Sequence, residues 1–358
     1  MIRRPSPLAY IQILTRLSWS GVDLFFILSG FLIGGILIDA RASKNFFKIF
    51  YVRRACRILP IYLIFCAVVA LLYHFVYPLH RDLMDWMFLS PMPWHSYLTF
   101  TQNCWVAGRN ITGPAVVAPT WSLAVEEQFY LTLPLIVRFV RQVTLPYVLA
   151  AGIFIAPLIR LAILIWLPQP QQAVYVLLPC RMDSLLMGVI TAYALRTPEM
   201  WTFVVARRPI LWRTFYILAL GLPLLTLRSS MYSFPIASFG YDWLALFYLS
   251  ALLLVLMDPQ SWLGRVMRWR WLMGLGTIAY GTYLIHPLVY GLCMTYFRHH
   301  SPALENWPDL WTTLGALALT IVIAQLSWRL FEKRFVRLGH QFQYEPLPTQ
   351  IGRAGGNK

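Results

Sequence analysis

Charge is what this 358-residue chain has least of: Asp, Glu, Lys and Arg make up 12% of it, about half the share usual in a soluble domain. Acidic residues are the scarcer sign, 14 against 30 basic ones. That shortage excludes an ordinary water-soluble globular fold. Cysteine is also sparse. Cys56, Cys66, Cys104, Cys180 and Cys293 are scattered, with no CxxC or Cys/His pairing, so the sequence offers no metal or redox pair and they read as small apolar residues. A periodic repeat, a soluble domain and a basic domain are all missing. The net charge of +16 lies in short clusters between apolar stretches, which argues against nucleic acid as a partner.

What is abundant is apolar: 59% hydrophobic residues and 16% aromatic ones. Runs fall near 22–38, 58–77, 122–140, 144–167, 174–195, 210–227, 243–257, 272–295 and 310–330, with a weaker one near 85–101. Backbone groups in lipid can be satisfied only by helices or closed barrels, and runs of this length require helices. The fold class expected is therefore all-α, a polytopic transmembrane helix bundle of about nine spans. If 85–101 does not cross, about 21 lysines and arginines fall on one side and about 7 on the other, with Arg160 and Arg181 embedded in runs. This bias puts the residues before Gly21 outside and the C-terminus in the cytoplasm. An external N-terminus with no signal peptide points to a preceding helix missing from the sequence. Residues 1–338 then form the transmembrane domain. The segment 339–358, rich in Gly, Pro and Gln, is expected to be a disordered cytoplasmic tail.

Ionisable residues within apolar runs are costly unless they meet a partner or a cavity, so each is a candidate for function. They are Asp23, Glu126 and Glu127, Arg181 and Asp183, and His286. Arg181 and Asp183 can instead pair across helices and hold the bundle together. Adjacent Glu126 and Glu127 point about 100° apart on a helix, so one of them can face a common site with Asp23 or His286, orienting an imidazole, while the other pairs or braces the helix start. His286 precedes Pro287, where the helical hydrogen-bond ladder is weakened; it can face a polar cavity or simply bond a backbone carbonyl. In FYVRRACRILP (50–60), Arg53 and Arg57 stand at i, i+4 and Arg54 and Arg57 at i, i+3. Three guanidinium groups can thus converge on one anion, and planar bidentate donors suit phosphates such as those of coenzyme A. A juxtamembrane patch for anionic lipid is the other reading.

The segments GVDLFFILSGFLI, FYVRRACRILPIY, TWSLAVEEQFYLTLPL, RMDSLLMG, GTIAYGTYLIHPLV and WRLFEKRFVRL, in this order, resemble acyltransferase family three of integral membrane proteins. The resemblance runs from about Ser18 to Leu338. It implies about ten helices and transfer of an acyl group, most often acetyl, from cytosolic acyl-coenzyme A to a hydroxyl of an extracytoplasmic carbohydrate or glycoside, in a bacterial inner membrane and without a metal. It also implies that Arg53, Arg54 and Arg57 hold the coenzyme A phosphates. Trp121, Ser122, Leu123, Glu126 and Glu127 match the family's WSLxxEE segment, and Tyr283, Leu284 and His286 its YLxH segment. Catalytic roles are expected for Glu126, Glu127, His286 and Asp23, and substrate or oxyanion contacts for Arg181, Asp183, Trp121 and Tyr283. Family members begin with a helix that ends in a histidine taken as the general base. The residues here before Gly21 include no histidine, so a truncated start or an inactive remnant is expected, truncation explaining the missing helix as well. A transporter or flippase with Arg160, Arg181, Asp183 and His286 along its path is the rival from another class, and it lacks the two-halves symmetry common in transporters. Trp86, Trp94, Tyr97 and Trp105 in outer loops can stack on a sugar without naming it.

Overall fold

The computed structural model of the chain describes residues 7–227 and 231–346. Among them there is no strand, and nine long helices occupy the nine apolar runs. These are α1 (Gly21–Ala40), α2 (Phe46–Leu71), α3 (Thr120–Phe139), α4 (Leu145–Trp166), α5 (Leu178–Leu195), α6 (Arg208–Leu227), α7 (Tyr241–Met257), α8 (Arg270–Arg298) and α9 (Trp307–Ser327). Seven helical segments, those containing α1, α2, α4, α5, α7, α8 and α9, are long and apolar enough to cross a membrane. The chain is a multi-pass membrane protein. The weak run near 85–101 is broken: Pro91 and Pro93 separate a helix at Arg81–Phe88 from one at Trp94–Leu98, and neither reaches the length of a span.

Backbone contact decides where the core sits. Gly30 and Gly34 form a small-xxx-small face on α1 that lies directly against α5. A Cβ at Gly30 would collide with the Leu185 carbonyl, and one at Gly188 with that of Ile27. This closeness brings charges on the two helices together. Arg181 Nη2 meets Asp23 Oδ1 at 2.6 Å, both side chains fully enclosed. One turn away, fully buried Arg160 of α4 bridges Asp183 of α5 (2.7 Å) and Asp242 of α7 (2.6 Å). Two arginines and three aspartates thus tie α1, α4, α5 and α7, satisfying charges that lipid could not.

The chain beyond α9 turns through a π-helical segment (Trp328–Glu332) into a helix at Lys333–Gln341 that packs on α2. The tail expected to be disordered from Gly339 is ordered through Pro346: residues 342–345 bond to Lys44, Asn45 and Arg53. In each of these bonds the tail contributes a main-chain group, which Gly/Pro/Gln composition does not reveal. Residues 347–358 lie outside the described residues.

Candidate active site

A cavity of about 900 Å³ lies between α1, α3, α8 and the short helix Gln171–Val176. Trp19, Trp121, Tyr175 and Tyr283 give it aromatic walls, and Arg57 and His286 supply its ionisable groups. Pro179 in the first turn of α5 restarts the helix after extended Leu177, which turns Gln171–Val176 and its Tyr175 toward this space. Trp121 meets Tyr175 with ring centroids 4.6 Å apart.

Local backbone chemistry orients His286. Pro287 has no N–H to give to the Tyr283 carbonyl one turn back, and His286 Nδ1 approaches that carbonyl at 2.7 Å. A carbonyl only accepts, so Nδ1 carries a proton, and when the imidazole is neutral Nε2 is the nitrogen that keeps its lone pair. The Tyr283 hydroxyl pairs with Ser122 Oγ at 2.7 Å and also reaches the Pro119 carbonyl at 3.2 Å, joining α8 to the start of α3.

The two glutamates stand behind this cavity rather than on its wall. Glu126 Oε1 accepts from both Ser29 of α1 and Tyr130 one turn along α3. Glu127, turned the other way as neighbouring helical positions require, has a buried Oε1 with no hydrogen-bond partner and lies near Tyr280 of α8. The expected carboxylate–imidazole pair is not formed, because His286 is taken by its own helix. Asp23, Arg181 and Asp183 are likewise held in the charge cluster described above, with Arg181 stacked 4.3 Å from the Tyr241 ring centroid. The pairing with Arg181 answers what neutralises Asp23.

The basic cluster of α2 splits. Arg57 is exposed to the cavity. Arg54 lies 5.6 Å from the Tyr130 ring centroid, near Glu126 and Glu127. Arg53 turns outward: Nε and Nη2 donate to the Phe342 carbonyl at 2.9 and 2.6 Å, and Tyr344 stacks on it at 5.1 Å. Among the described residues none of the three has a carboxylate within ion-pair distance, whereas Arg160, Arg181, Arg196, Arg208 and Arg298 all do. Burial pushes the Tyr344 phenol up in pKa, and the neighbouring Arg53 and Arg54 charges pull it down.

Several participants were not singled out by the sequence. Tyr175 and Trp19 sit among many aromatics in apolar surroundings, and nothing in their spacing marks them as cavity walls. Ser29 and Tyr130 are seen as holders of Glu126 only once α1 and α3 are side by side. Glu332, buried and bonded to Ser327 Oγ at 2.8 Å, lies just past the last apolar run among Arg329, Lys333 and Arg334, where an acid does not stand out in the sequence.

Residues 5–329 match the model of an acyltransferase domain, that of acyltransferase family three. The chain is similar to the peptidoglycan O-acetyltransferase OatA of Listeria monocytogenes, 26% identical over 92% of this chain and 54% of the relative. It is also similar to the O-acetyltransferase OatA of Staphylococcus aureus, 24% identical over 93% of this chain and 55% of the relative. The chain thus spans about half the length of the curated relatives it matches. No solved structure matches it. With a family match over nearly its whole length, the chain belongs to acyltransferase family three of integral membrane proteins.

Proposed function

We propose that this protein is a membrane O-acyltransferase that moves an acyl group, acetyl in the first instance, from cytosolic acyl-coenzyme A to a carbohydrate hydroxyl on the far side of a bacterial inner membrane. The observation that carries the reading is one cavity that holds Arg57, an arginine with no carboxylate partner among the described residues, together with an imidazole whose Nδ1 faces a main-chain carbonyl. Guanidinium groups without carboxylate partners are free to take phosphate in bidentate fashion. Aromatic walls suit the apolar face of a sugar ring. The relatives are named for O-acetylation, one of them of peptidoglycan, which makes peptidoglycan the first acceptor to test.

In this mechanism the arginines hold the coenzyme A phosphates while the thioester lies in the cavity beyond Arg57. His286 Nε2 takes the proton of the acceptor hydroxyl as its oxygen attacks the thioester carbonyl carbon. The Trp121 indole donates to the oxyanion that forms, and Tyr283 joins it by turning its one proton away from the Ser122 and Pro119 oxygens. Collapse breaks the carbon–sulfur bond, and the coenzyme A thiolate leaves with the proton held by His286. Ester and free thiol are the products, so no covalent enzyme intermediate is needed. The test supplies radiolabelled acetyl-coenzyme A to membranes containing the protein and follows label into the peptidoglycan and polysaccharide fractions. Label appears in an alkali-labile ester with the wild type; no labelled ester in any carbohydrate fraction overturns the reading.

A further inference from the structure

Three hydrogen bonds hold the C-terminal strap, residues 342–345, without help from the arginines. Lys44 N donates to the Glu345 carbonyl (3.0 Å), Glu345 N donates to Asn45 Oδ1 (3.0 Å), and Asn45 Nδ2 donates to the Gln343 carbonyl (3.1 Å). The loop between α1 and α2 thus fixes the strap, and the strap fixes Arg53. Its guanidinium is held on one edge by the Phe342 carbonyl and on one face by the Tyr344 ring, and Nη1 has no acceptor among the described residues. The Tyr344 hydroxyl is itself buried with no hydrogen-bond partner among the described residues, although it lies in the field of Arg53 and Arg54. A buried hydroxyl is rarely left so, and one beside two unpaired guanidinium groups lacks the same thing they lack, an anionic acceptor.

Position along α2 says which part of a ligand would come here. Arg57 lines the cavity, and Arg53 stands four residues, about 6 Å, further out along the helix. A donor whose thioester lies beyond Arg57 presents to Arg53 the end farthest from its sulfur. In coenzyme A that end is the adenosine, with its 3′-phosphate. Resting on the acyl-coenzyme A reading above, we propose that the strap is the outer wall of the donor site, with Arg53 Nη1 and the Tyr344 hydroxyl binding the nucleotide's 3′-phosphate.

The experiment measures equilibrium binding of acetyl-coenzyme A and of its 3′-dephospho form to the full chain in nanodiscs of neutral lipid. The variants are Tyr344→Phe, which keeps the ring on Arg53 and removes only the hydroxyl, and a chain ending after Gln341. Expected is about a tenfold loss of acetyl-coenzyme A affinity in Tyr344→Phe, with 3′-dephospho-coenzyme A bound equally by both forms. The truncated chain loses at least as much. Unchanged affinity in Tyr344→Phe, or an equal loss for both ligands, overturns the assignment while leaving the donor reading intact. Tighter binding after truncation also overturns it, since the strap would then be a lid. With the measurement repeated in nanodiscs that contain phosphatidylglycerol, a loss in Tyr344→Phe that appears only there overturns it in favour of a lipid phosphate. Absence of any coenzyme A binding by the full chain overturns the donor reading and this inference together.

Discussion

Pro287 acts on the chemistry through a group it lacks. Its missing N–H leaves the Tyr283 carbonyl to His286 Nδ1, and that bond settles which ring nitrogen is free. Replacing His286 by glutamine keeps a polar side chain of similar reach but removes the base. Acyl transfer should fall by about 10²–10⁴-fold while acyl-coenzyme A affinity stays within a factor of two or so, measured by initial rates and by equilibrium binding on the same preparation. An unchanged rate would move the base elsewhere in the cavity. Arg57→Lys should show the reverse pattern: the charge is kept and the bidentate fork is lost, so donor binding weakens by about 1–3 kcal/mol and the protein inserts normally. His286 and the arginines stood out as candidates in the sequence because each breaks a local rule, an ionisable group inside an apolar run or three cations within five helical positions; that Arg53 turns away from the cavity could not be read there. Tyr175 and Tyr344 break no such rule. Their importance comes from what the fold places against them, and no spacing within their own segments carries that information.

At the scale of elements, the packing of α1 on α5 accounts for much of what surrounds the site. Gly30 and Gly188 let two backbones touch, and only that approach puts Asp23 within 2.6 Å of Arg181. Most of the helices could be read from the sequence to within a few residues of their ends, since long apolar runs leave the backbone no other solution in lipid, but α2 begins at Phe46, twelve residues before its apolar run, because its first turns carry the basic cluster. Which helices touch could not be read there. Gly30→Ala should therefore destabilise the bundle by about 1–3 kcal/mol through overpacking, seen as a lower unfolding temperature in detergent. The ion pair makes a sharper test of its own role. Asp23→Asn leaves Arg181 enclosed with no counter-charge and should cost about 3–5 kcal/mol, whereas Asp23→Asn combined with Arg181→Met should recover a large part of that loss. If Asp23 were instead a reacting group, the double variant would be stable but no more active than the single one. Comparing unfolding temperature with transfer rate across the three proteins separates the two roles.

For the whole molecule, the question is how the helices are threaded through the bilayer. The donor reading needs the arginine end of α2 on the cytosolic side, which is the side expected from the count of basic residues between apolar runs. The break at 85–101 into two short helices matters here, because a crossing at that point would reverse every later segment. The segment Gln171–Leu195 provides a ruler. Its 25 residues are enough to cross, and both Gln171 and Pro198, at and just past its two ends, are exposed. A cysteine at 171 should react with a membrane-impermeant maleimide in intact cells, and one at 198 only after lysis, in a background where exposed Cys104 has been replaced by serine. The opposite pattern would put Arg53, Arg54 and Arg57 on the external face, away from any coenzyme A. The topology experiment thus tests the source of the acyl group as well as the path of the chain, and it does so without needing the acceptor to be known.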